Sequence, residues 1–354
     1  MTRHLSVSGA PFRPLSLSAV LLAGAIVPGV ALAQSSGDIT DKFGISLRLG
    51  LEFETEPDAA LDLEDFASRL TWNDTLDTGT GLDVLAFIDL GYGLNQAVFT
   101  REAWLGVEAD FGAIKGGTQF RAFYDTTSSF TDVGWWDTCY AAIGCARAPG
   151  VLKYENELSP TLRVIASATL TDTIFDDDEP LAGPDAGVAA GNENEFIEQL
   201  EAGAVADVGD LEVGGAFGVD LSGDTGFAIG AAARTALSEE LDVSAMLQFA
   251  SEDYNDIVTA GDGRVLNVPR AGENLVLASL AASAERVYGL LAIGDANDTV
   301  FGATAGYVYP LVGGSKIYAE VSGVDDGSDN SDFNLQARGV FVYHFGAEEA
   351  ARRR

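Results

Sequence analysis

Basic residues and histidine are scarce in this 354-residue sequence: 20 Lys plus Arg stand against 54 Asp plus Glu, and the two histidines are His4 and His344. A formal charge of −34 excludes nucleic acid as a partner, because a phosphate backbone is bound by clustered Lys and Arg. Scarce histidine and two cysteines, Cys139 and Cys145, leave zinc centres and His-dependent triads without parts, so no enzyme chemistry is expected. Also missing beyond residue 33 is any apolar run near the roughly 20 residues that a spanning helix needs. Yet 47% of the residues are hydrophobic. Disorder needs low hydrophobicity beside high charge, so this chain must shelter its apolar surface.

Residues 1–33 read as a secretory signal peptide. Arg3, His4 and Arg13 make a basic start, Leu15 to Ala31 is an apolar run, and Ala31-Leu32-Ala33 before Gln34 is an A-x-A cleavage site. Pro28 and Gly29, with no basic flank after the run, favour cleavage over anchoring. The expected divisions are a signal peptide (1–33), a folded unit (34–345) and a tail (346–354) ending in Arg352-Arg353-Arg354.

Beyond the signal the period is two. Phe43, Ile45, Leu47, Leu49, Leu51 and Phe53 alternate with Lys42, Gly44, Ser46, Arg48, Gly50 and Glu52, so one face is apolar and the other polar. The alternation recurs in Phe66, Leu70 and Trp72 against Arg69, Thr71 and Asn73. It returns in Leu162, Val164, Ala166 and Ala168 against Arg163, Ser167 and Thr169. Breaking the chain at clusters of Gly, Asn, Asp, Ser and Pro predicts sixteen strands: 42–54, 64–73, 81–90, 97–109, 112–121, 150–157, 161–170, 195–207, 211–221, 227–236, 241–250, 273–283, 286–294, 299–309, 316–323 and 332–345.

The connections sort by length. After even strands they are short, as at Asp110-Phe111, Val208 to Asp210 and Ala284-Glu285; after odd strands come the long ones, 122–149, 171–194 and 251–272. An even strand number, short turns at one end and long loops at the other mark a transmembrane antiparallel β-barrel with periplasmic turns and external loops. A bilayer core leaves no water for unpaired backbone groups, so only helices and closed barrels cross it. The expected fold is therefore all-β, a 16-stranded barrel in the outer membrane of a Gram-negative cell. Trp72, Trp104, Tyr307, Tyr309, Tyr318, Tyr343 and Phe345 lie towards strand ends, where an interfacial aromatic girdle is expected.

Residues 100–125, TREAWLGVEADFGAIKGGTQFRAFYD, resemble the signature of the Gram-negative trimeric (general) porins. The resemblance is carried by Arg101, Ala103, Trp104, Gly106, Phe111, Gly112, Gly117, Tyr124 and Asp125. Val151 to Glu155 followed by Ser159-Pro160 resembles the next strand and turn, and Val340 to Phe345 resembles the aromatic-ended terminal strand read by the barrel assembly machinery. Two departures stand out. Thr118 occupies a position where many members carry Arg, and Gly346 to Arg354 follow Phe345, where family chains normally stop.

The resemblance implies a loop after strand five that folds into the barrel and narrows it, its acids facing a basic wall. Here that loop carries Asp125, Asp132 and Asp137 beside Tyr124, Trp135 and Trp136. Alternation places Arg48, Arg69, Lys153 and Arg163 on the lumen face; a basic charge at mid-depth on the lipid face would cost about 2–4 kcal/mol. Arg101 is placed inward by the resemblance, which sends Glu102 outward. Arg147, where the loop returns to the wall, completes the constriction set. Cys139 and Cys145 fall in the same loop of a secreted chain, so a disulfide that stiffens the loop is expected.

Acidic runs such as Asp176 to Glu179 and Asp325-Asp326 fall in external loops, where calcium or magnesium can bridge carboxylates to anionic lipopolysaccharide. No spaced ligand loop is present, so no metal site or other cofactor is assigned. Acids on the lumen face, Glu52, Asp83 and Asp89, bias permeation towards cations. The expected protein is a homotrimeric outer-membrane channel for passive diffusion of ions and small hydrophilic solutes, cation-preferring. The alternatives are a solute-specific channel, for instance for sugars, and a plugged structural or adhesin barrel.

Overall fold

The structure is a computed structural model. It describes residues 42–54, 60–65, 68–92, 98–134, 142–145, 147–170, 197–222, 225–254, 274–296, 298–311, 315–325 and 334–346. One antiparallel sheet runs through β1 (Phe43–Glu54), β2 (Ala60–Asp65 and Ser68–Asp77), β3 (Asp83–Tyr92), β4 (Phe99–Ala109), β5 (Gly112–Phe120), β6 (Arg147–Ser159), β7 (Leu162–Leu170) and β8 (Ile197–Val208). It continues through β9 (Leu211–Asp220), β10 (Gly226–Ser238), β11 (Leu241–Ala250), β12 (Leu275–Ala284), β13 (Val287–Ala296), β14 (Asp298–Pro310), β15 (Lys316–Asp325) and β16 (Asn334–Gly346). Both segments of β2 pair with β1, one along Leu49 to Glu54 and the other along Phe43 to Ser46. They are halves of one strand, so the sheet has the sixteen strands that the periodicity predicts.

The sheet closes because β16 returns to β1, from Gly44 opposite Gly346 to Glu54 opposite Gln336. Closure removes the free edge, whose unpaired N–H and C=O groups could not be satisfied in lipid. Among the described residues no helix is long and apolar enough to cross a membrane. Strands of 9 to 13 residues do so instead, the length that a tilted strand needs to span the hydrocarbon core. The even-numbered strands hand over in tight turns. In one of them Gly209 supplies the left-handed φ of 69° that a two-residue Gly-Asp hairpin turn requires.

Alternation decides which side each residue takes. On β1 the row from Phe43 to Phe53 is at least 40% exposed at every apolar position, whereas Ser46, Arg48 and Glu52 between them are buried on the inner side. The outward row carries no charge, so β1 can face an apolar surround without the penalty of a buried ion. Tyr307, Tyr309 and Tyr343 are likewise exposed near the short-turn end, and Trp72 stands opposite outward-facing Phe43 and Ile88. The girdle expectation is corrected at Trp104 and Tyr318. Trp104 stacks on Phe87 at 5.6 Å, with the Lys115 ammonium 4.9 Å from its ring centre, and Tyr318 packs on buried Val340 and Val342. Both occupy inward positions of their strands, and strand parity overrides the preference of an aromatic ring for the interface.

Candidate functional site

After β5 the chain turns into the barrel and forms a short helix, α1 (Ala122–Thr126), then a 3₁₀ turn over Ser128–Phe130. A helix start leaves backbone N–H groups without partners, and Arg121 at the N-cap supplies no side-chain cap. The wall caps it instead. The Ala122 N–H donates to Ser167 Oγ on β7 at 2.9 Å, and the Phe123 N–H donates to Glu201 Oε2 on β8 at 2.8 Å. Arg121 itself donates to Gln199 and lies 3.2 Å from Glu201, with both partners of that ion pair buried. Further along, Gln248 on β11 donates to Thr127 Oγ1 and Ser128 Oγ and accepts from the Ile143 N–H, gripping the outgoing and returning limbs together.

The loop fits because the wall beneath it is nearly bare. Ala216, Ala228 and Ala232 face inward on β9 and β10, and inward Gly203 and Gly214 meet Thr126 so closely that a Cβ on either would collide with it. Over this trough Phe123, Ile143 and Tyr254 pack into one buried cluster and Phe130, Ala142 and Met246 into another.

At its two feet the loop is fastened by a chain of contacts. The Arg147 Nε donates to Glu102 Oε1 at 3.0 Å, and the Arg147 guanidinium lies 4.0 Å from the Phe120 ring centre. Phe120 stacks on Tyr124 at 3.8 Å, and the Tyr124 hydroxyl donates to Asp132 at 2.6 Å. Burial and the neighbouring Asp132 push the Tyr124 phenol well above its ordinary pKa, so it stays a donor. Asp125 accepts from Lys153 Nζ on β6 at 2.7 Å; burial raises its carboxyl pKa although Lys153 pulls the other way.

The loop packs on β7 to β11. In a closed ring of sixteen strands the opposite arc is β15, β16, β1, β2 and β3, and a row of charge lies there. Arg48 Nε donates to Ser46 Oγ at 2.9 Å, and Arg69 stands opposite Ser46. Asp89 on β3 accepts from Arg101 at 3.3 Å. Arg338 on β16 donates to Glu52 at 2.5 Å and lies 3.9 Å from Glu320, which also accepts from the Tyr288 hydroxyl. The lumen is thus narrowed by an inserted loop on one side and lined by arginines and carboxylates on the other. This is the arrangement of a filter for polar solutes.

A family model described as Gram-negative porin matches residues 18–347. The chain belongs to this porin family. It is an outer-membrane channel for small solutes, crossing the membrane as a multi-pass β-barrel. Solved porins are similar in fold. The anion-selective porin of Comamonas acidovorans matches over 86% of this chain and 98% of its own at 13% identity, with a TM-score of 0.63. Salmonella typhi OmpF, in a complex with daunomycin, matches over 86% and 98% at 12% identity and 0.63. The outer membrane channel DcaP of Acinetobacter baumannii matches over 85% and 96% at 15% identity and 0.62. No curated protein sequence matches.

Of the residues named from the porin sequence, Arg48, Arg69 and Arg101 lie on β1, β2 and β4, and Asp125 and Asp132 lie in the inserted loop. Lys153 faces the lumen, as alternation predicts, and meets Asp125 of the loop. One placement is corrected. Glu102 turns inward, because the β4 register skips Arg101: Asp89 is opposite Glu102 and Leu90 is opposite Thr100. Such a bulge sets two neighbouring side chains against one partner residue, so Arg101 and Glu102 both find ion pairs on the wall. Cys145 is disulfide-bonded. Its expected partner Cys139 lies outside the described residues, as do Asp137, Trp135, Trp136, Asp176 to Glu179, Asp326, the signal peptide and the tail beyond Gly346.

The loop anchors Arg121, Ser167, Glu201 and Gln248 and the wall residues Glu320 and Arg338 were not singled out from the sequence. A signal for the anchors existed. On β8 the inward positions read Gln199, Glu201, Gly203, and the middle of β9 and β10 turns Gly214, Ala216 and Gly218 and Gly226, Ala228, Gly230 and Ala232 inward, a trough that something must fill.

Proposed function

We propose that this porin forms a homotrimeric, water-filled channel through which ions and small hydrophilic solutes diffuse passively, with a preference for cations. The observation that carries the reading is the inserted loop, fastened along β7 to β11 and set across the lumen from the charged arc of β15 to β3. A transverse field between such surfaces orients polar solutes and repels apolar ones, and needs no covalent chemistry. His344, the one histidine beyond residue 33, sits at the periplasmic end of β16 opposite Ser46. Along the described wall, acids and bases largely pair. The acid surplus of the whole chain therefore sets the preference, acting at the channel entrances, where it concentrates cations. A solved trimeric form of a similar barrel, the Vibrio cholerae outer membrane protein OmpT, supports the trimer reading.

Planar-bilayer recording tests this directly. Conductance steps in triplets support the trimeric channel, and silence overturns it; a reversal potential indicating anion preference in a salt gradient overturns the selectivity.

One observation favours solute specificity as a second reading. The Phe87–Trp104 stack with Lys115 beside it places aromatic faces on an otherwise polar inner wall, where sugar rings can slide. Liposome swelling with sugars and amino acids of equal size separates the readings, since simple diffusion follows size alone.

A further inference from the structure

We propose that Glu201 is a positioning residue that ties the pore aperture to the external loop following β11. Its carboxylate is buried and receives groups from three directions. One oxygen accepts the Phe123 N–H of the constriction helix at 2.8 Å and lies 3.5 Å from Ser167 Oγ. The other lies 3.2 Å from Arg121, at the foot of that helix, and accepts from the Tyr254 hydroxyl at 3.3 Å.

Tyr254 belongs to neither the wall nor the constriction loop. It follows β11 in the segment 251–254, at the end of the barrel where the long connections lie. The segment is pinned to β10: the Ser251 N–H donates to the Phe227 carbonyl at 2.9 Å, Ser251 Oγ accepts from the Phe227 N–H at 2.8 Å, and the Tyr254 N–H donates to the Ser251 carbonyl at 3.0 Å. Two bare positions make room. A Cβ on Gly226 would strike the Asp253–Tyr254 backbone, and one on Gly218 would come within 2.9 Å of the Tyr254 hydroxyl. The ring then joins Phe123 and Ile143, one from each limb of the constriction loop, in a single buried cluster.

The segment 251–254 therefore turns inward and shares both a carboxylate and an apolar cluster with the element that narrows the pore. Displacement of that segment withdraws one donor from Glu201 and loosens its hold on the Phe123 N–H and on Arg121. The two loops are coupled through one residue, so events at the outer surface are felt at the aperture.

The inference rests on the channel reading, and the experiment separates the two. Single-channel closing frequency is compared for the full-length protein, Tyr254→Phe, the paired variant Arg121→Met/Glu201→Met, and the triple combination. The paired change avoids leaving one buried charge without its partner. Tyr254→Phe keeps the ring in its cluster and removes only the hydroxyl, and is expected to raise the closing frequency roughly 5-fold or more. In the paired background the same change is expected to add nothing. Wild-type frequency in Tyr254→Phe, or an equal increment in both backgrounds, overturns the role of Glu201. A wild-type protein that never conducts refutes the channel reading instead. Should the paired variant not assemble, Tyr254→Phe alone decides.

Discussion

Lys153 of β6 holds Asp125 of the constriction loop at 2.7 Å and Glu155 of its own strand at 3.1 Å. Glu155 in turn accepts from Lys115 on β5 at 2.7 Å, so a row of alternating charge runs from the loop along the wall. An ion pair of this kind fixes geometry more than it adds stability, because desolvation offsets much of the attraction.

Removing the cation from that row should be felt in both selectivity and stability. Lys153→Met leaves Asp125 without its ammonium partner, and a loss of about 1–3 kcal/mol is expected in denaturant unfolding. The reversal potential should move towards cations, and an unchanged potential would place Lys153 outside the ion path.

Acidification should act through Asp125. Its pKa is raised in the folded protein, so the fold favours the neutral form: this contribution is fully present below the ordinary Asp pKa and is lost as pH rises through the raised value. Between those two values the carboxyl is protonated in the channel while exposed aspartates are ionised. Cation preference should therefore fall on acidification through that window. Asp125→Asn should show the acid-side selectivity at neutral pH and lack the step, as read from reversal potentials across a pH series.

The trough beneath the loop predicts a steric phenotype. A side chain at Gly214 would run into the Thr126 carbonyl and the Phe130 ring. Gly214→Val should cost about 1–3 kcal/mol by overpacking. The loop would be pushed off its wall towards the arginines, so conductance should drop while the barrel still assembles. Electrophoretic heat-modifiability checks assembly, and single-channel current checks aperture.

On the opposite wall, Arg338 lies between Glu52 and Glu320. Arg338→Gln uncovers two carboxylates on the arc facing the loop and should shift the reversal potential towards cations more than Arg234→Gln. Arg234 is a partly exposed control that pairs with Glu212 at 2.9 Å. Equal shifts would show that the arc near Arg338 is not selective.

Cys145 is bonded, so thiol reagents should not label the unreduced protein. If the partner is the expected Cys139, reduction opens a ring that limits the loop's excursions and should increase open-channel noise. Labelling before reduction is the contrary result.

The strand count, the closure and the side taken by each β1 residue were legible because alternation is a local property: Arg48 between Leu47 and Leu49 has only one inexpensive direction. Arg69 follows from the same rule. The rule misplaces Glu102, where one skipped residue in the register reverses the parity, and nothing in the run TREAW announces a bulge. The girdle expectation over-reads Trp104 and Tyr318 because it weighs residue type above parity.

What the sequence by itself determined is the barrel, its orientation by loop length and the inventory of charges available to line it. Which wall the constriction loop leans on, and which charges meet, only the tertiary structure decided. Arg121 and Gln199 are 78 residues apart, as are Phe123 and Glu201. Their contact depends on the ring closing and on a glycine and alanine trough forming across three strands. Period two places a residue inside or outside the barrel, but it carries no information about which inward residues share a height and an angle around the ring.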